Sequence, residues 1–210
     1  MTKRMGVLAM VLIGLLTVSA VGQIELIEVV EASRATPRGT LKLLRQAMEK
    51  GDADALRSIL LAEGEVQQQM VEAMVQTAQS VRGLREAAVE AFGEREAAAL
   101  AGPQPAGDPA QMKEIDEAAE TIEEDRAVVR FADVQVNPVT LVRRGEQWYV
   151  PVGELSAKLN DRDLSERIEE IRTFNRVMGE VTAEIAAGKH QSAEQARQAL
   201  ASLMLRAVQE

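Results

Sequence analysis

Few side chains in this 210-residue chain are equipped for chemistry, and their spacing argues against most of it. There is no cysteine, so thiol nucleophiles, disulfides and cysteine zinc sites are excluded. The single histidine, His190, has no second imidazole with which to share a metal. Beside Lys189 and just past a predicted helix end, it reads as a cation favoured by the helix dipole. Asp161, Asp163 and Ser165 open like a calcium loop, but its sixth position is Glu166 rather than glycine and its twelfth is Arg172, which rejects the loop. No G-x-S-x-G elbow, G-x-x-x-x-G-K-[ST] loop or G-x-G-x-x-G turn is present, so acyl transfer and nucleotide-phosphate binding lack their signatures. The acidic run from Glu120 to Asp125 offers oxygen ligands for weak cation binding, against the plainer reading of a solvated charged face. Tyr149, the only tyrosine, adjoins Trp148, the only tryptophan, and either orients a ligand or completes a cross-strand aromatic pair. No catalytic, cofactor-binding or metal-ligating residue is assigned, and no cofactor is expected.

Charge and compartment narrow the partners. The chain carries 24 Lys and Arg against 33 Asp and Glu, a formal charge of −9. Nucleic-acid affinity comes from cations that displace counterions from phosphate, so this balance argues against nucleic acid and against an anionic membrane surface. Lys3 and Arg4 precede an apolar run from Met5 to Val18, and Val18, Ser19 and Ala20 supply small residues, the three-part pattern of a secretory signal. Cleavage is expected after Ala20, with Gly22 as the second choice, which makes the product exported, periplasmic or secreted. The alternative is an uncleaved anchor reaching Ile24, an extension that Thr17, Ser19, Gly22 and Gln23 weaken. A lipid-anchored form is excluded for want of cysteine. Removing residues 1–20 leaves 22 basic and 33 acidic residues and a charge of −11. A chain exported without disulfides has to be held by a real core.

The elements that would position these residues are mostly helical. Residues 21–35 read as a tether or a short helix. Thr36 as N-cap and Pro37 at the first helical position start a helix with Leu41, Leu44 and Met48 on one face, ended by Gly51. Asp52 caps a second helix carrying Leu56, Ile59 and Leu60, ended by Gly64. A longer stripe follows through Val66, Met70, Met74, Ala78, Val81, Leu84, Ala88 and Phe92, to Gly93. Residues 101–110 hold three prolines and two glycines and read as a loop. Ala118–Glu123 predicts a polar edge strand turning at Glu124 and Asp125, and Ala127–Phe131 a second strand. Val139–Val150 predicts a hairpin turning at Arg144-Gly145, which would set Leu141 opposite Trp148 and Thr140 opposite Tyr149. Asp163 with Glu166 opens a long helix whose stripe from Leu164 to Ile185 averages about 3.5 residues per step, the seam of a helix packed lengthwise on another. Gly188 ends it, and Ser192 with Gln195 opens a last helix. The fold class predicted is α+β: N-terminal helices on a small curved antiparallel sheet, then a C-terminal antiparallel helical hairpin.

The Gly51-Asp52 joint between two helices, followed later by a hairpin ending Leu-Val-Arg-Arg-Gly-Glu-Gln-Trp-Tyr-Val over residues 141–150, resembles the nuclear-transport-factor-two-like superfamily. More narrowly, it is similar to exported bacterial members related to lumazine-binding-like domains. The resemblance covers about Thr36 to Val152 and implies a cone-like α+β domain over residues 36–152, with residues 153–210 as a helical pair packed on it. That family includes isomerases and hydrolases with acidic and tyrosine residues in the cone, but no carboxylate here matches such a motif. The expected function is an exported, non-catalytic domain that binds a protein partner or assembles with itself. A small-ligand or acid/base enzyme cone is the alternative, with Phe92, Phe131, Trp148 and Tyr149 as the residues that would line a pocket or fill a core.

Overall fold

A computed structural model describes residues 29–101, 109–133, 137–155 and 161–207. The predicted signal segment and its cleavage position Ala20 lie outside them. The chain is α+β. Helix α1 (Pro37–Lys50) starts as the residues require: Thr36 Oγ accepts the Gly39 N–H at 3.1 Å, and Pro37 occupies the first turn, where its missing N–H costs nothing. Gly51 ends it at φ 58, and the Asp52 N–H reaches back to the Ala47 carbonyl at 2.8 Å. The same Asp52 then caps α2 (Ala53–Ile59) by accepting the Ala55 N–H at 3.0 Å. One glycine and one aspartate therefore finish one helix and start the next.

The α2 helix stops short of Gly64. Leu60 and Leu61 leave it as strand β1, pairing in parallel with the far end of the chain's last hairpin. Gly64 then precedes α3 (Glu65–Phe92), a rod about 42 Å long at 1.5 Å per residue, and Gly93 separates it from α4 (Glu94–Ala101). Helix α5 (Pro109–Glu117) follows, where the period of the sequence is ambiguous. Strands β2 (Ala119–Glu123) and β3 (Arg126–Arg130) turn at Glu124-Asp125 as expected, with Glu124 at φ 53. Strands β4 (Val139–Arg144) and β5 (Gln147–Pro151) form the second hairpin. A short α6 (Val152–Leu155) leads on, and α7 (Asp161–Ala186) and α8 (Ala193–Ala207) complete the chain.

The sheet order is β1-β5-β4-β3-β2, so it is mixed rather than wholly antiparallel, β1 being the parallel member. The second hairpin also differs in register: Arg143 faces Trp148 and Val142 faces Tyr149. The reason lies in the turn. Gly145 sits at the first central position with φ 63, as a type II′ turn wants, so the loop is Gly145-Glu146. The slip moves both strands by a whole pair, so the faces survive: Leu141, Trp148 and Val150 point inward, and Tyr149 points out.

Two clusters form the interior, both strung along α3. The larger joins α1, α2, the first half of α3, the inward sheet face and the start of α7, with Leu56, Ile59, Val75, Leu141, Val150 and Ile168 each almost wholly buried. Each such side chain contributes about 1.5–3 kcal/mol of hydrophobic burial. The smaller holds Leu84 of α3, Met178, Val181 and Ile185 of α7 and Ala196 of α8. The α7 stripe packs lengthwise on α3. Arg172 Nη2 meets Gln69 Oε1 at 3.3 Å and Asn175 Nδ2 meets the Ala73 carbonyl at 3.2 Å, and further along Leu84 joins Val181 and Ile185. These contacts advance together along both chains, so the two rods run parallel. Among the described residues no helix is long and apolar enough to cross a membrane.

Candidate functional site

The four aromatic residues singled out by sequence do not meet in one place. Trp148 is buried and Phe131 half-buried in the larger cluster, whereas Phe92 packs half-buried in the smaller one at the other end of α3. Trp148 shares the larger cluster with mostly aliphatic side chains, and the Arg143 guanidinium lies 5.6 Å from its ring centroid. Tyr149, on the opposite sheet face, carries the Arg34 guanidinium 4.1 Å above its ring. That distance is within the range of a cation–π contact.

Arg34 belongs to a segment, residues 29–36, that neither helix nor strand accounts for. It is held at its two ends by the rest of the fold. Lys42 on α1 and Asp116 on α5 are buried, with side chains 7% and 6% exposed, and their Nζ–Oδ1 separation is 2.6 Å. Between them they read both main-chain polar groups of one residue. The Val30 N–H donates to Asp116 Oδ1 at 2.9 Å, and Lys42 Nζ donates to the Val30 carbonyl at 2.7 Å. Arg38 braces this pair by donating from Nη1 to the Asp116 carbonyl at 2.6 Å, while its own side chain pairs with Glu120 at 3.7 Å. At the other end the Trp148 N–H donates to the Arg34 carbonyl at 2.9 Å. The outer edge of β5 is thus closed by β1 at Val150 and Pro151 and by Arg34 at Trp148. Gly39 allows the approach: a Cβ there would stand 2.6 Å from the Ser33 carbonyl and 2.7 Å from that of Glu31.

A buried pair of opposite charges bears a desolvation cost that only good geometry and further hydrogen bonds offset. Here the main-chain N–H and carbonyl of Val30 supply them. Both carboxylate oxygens and the ammonium are engaged, so this pair offers no free base. Sequence reasoning missed it, although Lys42 stands beside Leu41 on the face that α1 buries, and Asp116 beside buried Ile115.

The remaining chemistry-bearing residues are dispersed. His190 Nε2 lies 3.1 Å from Glu184 Oε2, with Lys189 3.6 Å from the same carboxylate, an arrangement that joins the end of α7 to the turn after it. Asp161 and Asp163 stand in the first turn of α7. Of the acidic run, Glu120 pairs with Arg38 and Asp125 with Arg143. Among the described residues no group of three or more His, Asp or Glu is placed to hold a metal ion. On the surface, Arg57 grips Glu72 through two contacts of 2.8 Å. That hydrogen bond, ahead of the opposing desolvation, holds the Glu72 carboxyl below its ordinary value and raises Arg57.

Among the described residues the smaller cluster has less cover than the larger. Five buried residues are accompanied by seven half-buried ones, whereas the larger has twenty and twelve among the described residues. Elsewhere on these helices, Leu205 of α8 is 64% exposed and Val89 of α3 38%. Compared with known proteins, the chain matches no family model, no curated protein and no solved structure.

Proposed function

We propose that this protein is an exported, non-catalytic binding or assembly domain whose helical end pairs with a second copy of itself. The observation that carries this reading is the thin cover over the smaller cluster among the described residues, where Phe92, Leu100, Phe174, Leu200 and Leu203 are half-buried. An apolar surface of this kind marks an interface more often than it marks chance. In this reading α7 and α8 act as a C-terminal antiparallel hairpin that presents the interface, while the helices and two strand hairpins form the cone-like body that the superfamily resemblance implies. Nothing in the buried Lys42–Asp116 pair favours proton transfer, since each group is spent on the other and on Val30.

Light scattering of residues 21–210 tests the interface. A concentration-dependent dimer, returned to monomer by Leu203→Glu, is expected. A strictly monomeric wild-type chain at millimolar concentration removes self-assembly. Export is tested by N-terminal sequencing of the secreted product: Ala20 as the last residue removed is expected, and an intact Met1 overturns it.

A further inference from the structure

We propose that Lys42, Asp116 and Tyr149 form a site that reads a peptide main chain, and that residues 29–36 are the ligand this chain keeps there in cis. The inference is independent of the assembly reading. Recognition of one residue by both of its main-chain groups, with the N–H given to a carboxylate and the carbonyl to an ammonium, is peptide recognition of the main-chain kind. Four residues on, Arg34 supplies a side-chain determinant by lying on Tyr149, and its carbonyl takes the Trp148 N–H as an added strand would. The class of ligand is therefore a peptide segment with a free N–H and carbonyl at its first contact, which then bends and turns at an arginine four places later.

The segment is held as a ligand rather than as part of the core. Val29 is 79% exposed, and no side chain from residues 29–36 belongs to either buried cluster. Two nitrogens of Arg34, Nε and Nη2, are buried with no hydrogen-bond partner among the described residues, which weakens its hold. When the segment leaves, Lys42 and Asp116 still have each other at 2.6 Å, so the receptor survives release. Elements with few buried contacts open locally before the whole chain unfolds.

The test uses the full chain. Val30→Pro removes the N–H that Asp116 accepts and releases the cis ligand. That variant is expected to bind a synthetic peptide of residues 29–36 saturably, read by the fluorescence of Trp148, while the wild-type chain does not. Adding Lys42→Met is expected to weaken that binding at least tenfold. A folded Val30→Pro protein that ignores the peptide, or a double variant that binds it equally well, overturns the proposal. Hydrogen exchange on the unaltered chain tests the same claim without any variant. The Val30 and Trp148 amides are expected to exchange together and at least tenfold faster than those of Val129 and Leu141, and exchange at one common rate overturns it.

Discussion

Replacing Gly39 by alanine should destabilise this protein, although the same change inside an ordinary helix stabilises. Alanine is favoured over glycine in a helix interior by about 1 kcal/mol. Here the new Cβ would meet two backbone carbonyls, Ser33 at 2.6 Å and Glu31 at 2.7 Å, and the Thr36 hydroxyl at 2.7 Å. The two carbonyls are main-chain atoms rather than the free end of a flexible side chain, so residues 29–36 have to move away. Moving them forfeits the two charge-assisted hydrogen bonds at Val30, each contributing about 1.5–3 kcal/mol net. Released chain entropy returns part of that loss, at about 1 kcal/mol or more per freed residue. The net expectation is a loss of about 2 kcal/mol, and it has a ceiling. Once the segment has detached the clash is gone, so the cost cannot exceed the free energy that holds the segment down. Urea unfolding followed by Trp148 fluorescence measures it, and hydrogen exchange at the Val30 amide measures the ceiling independently. A Gly39→Ala protein as stable as wild type, or one whose loss exceeds the opening free energy at Val30, refutes the reasoning.

Other perturbations separate other causes. Gly145→Ala has open space for its Cβ, with nothing within 4 Å, so its cost is backbone strain at φ 63 alone, about 1–2 kcal/mol by thermal unfolding. Asn175→Leu should leave the melting temperature unchanged or raise it, because Oδ1 of this buried residue has no hydrogen-bond partner among the described residues. Asn175→Asp should lower it by several degrees, as it buries an unpaired charge in the α3–α7 seam. Glu72 has a depressed carboxyl, so its pairing with Arg57 contributes fully above the ordinary value of 4.5 and is lost as pH falls through the depressed one. The stability difference between wild type and Glu72→Gln should therefore be small at pH 7, vanish in acid and shrink in salt, and a difference that grows in acid would be the wrong sign.

The helices were legible because their ends are written in side chains with one conformational meaning. Thr36-Pro37, Gly51-Asp52, Gly93 and Gly188 each mark a boundary that the structure keeps, and the 3.5-residue stripe of α7 announced a lengthwise partner, which is α3. What escaped notice depends on distance. Leu60 and Leu61 look like the continuation of an amphipathic helix, and only pairing with Val150 and Pro151 makes them a strand. The start of α5, Pro109 and Ala110, falls in the stretch 101–110 that reads as a loop, and seven acidic residues between Lys113 and Asp125 leave the period of the rest ambiguous. The hairpin register turned on whether Gly145 is the first or second turn residue, a choice that its neighbours Arg144 and Glu146 both permit. The Lys42–Asp116 pair was invisible for a related reason: a charge on an apolar face looks like an irregularity until its partner arrives from another helix.

The two pieces that close the outer edge of β5 have a bearing on how the chain is made. Arg34 and the Leu60–Leu61 strand both precede β5 in sequence, and the clamp on Val30 joins positions 86 apart. Such long-range closures form slowly, and an open strand edge is a template for pairing with other molecules while it waits. A chain that emerges N-terminus first, from the ribosome or across a membrane, has already delivered both covers when β5 appears. The vulnerable edge never exists without its covers at hand, and its exposure is limited by the search within one molecule rather than by the rate of synthesis.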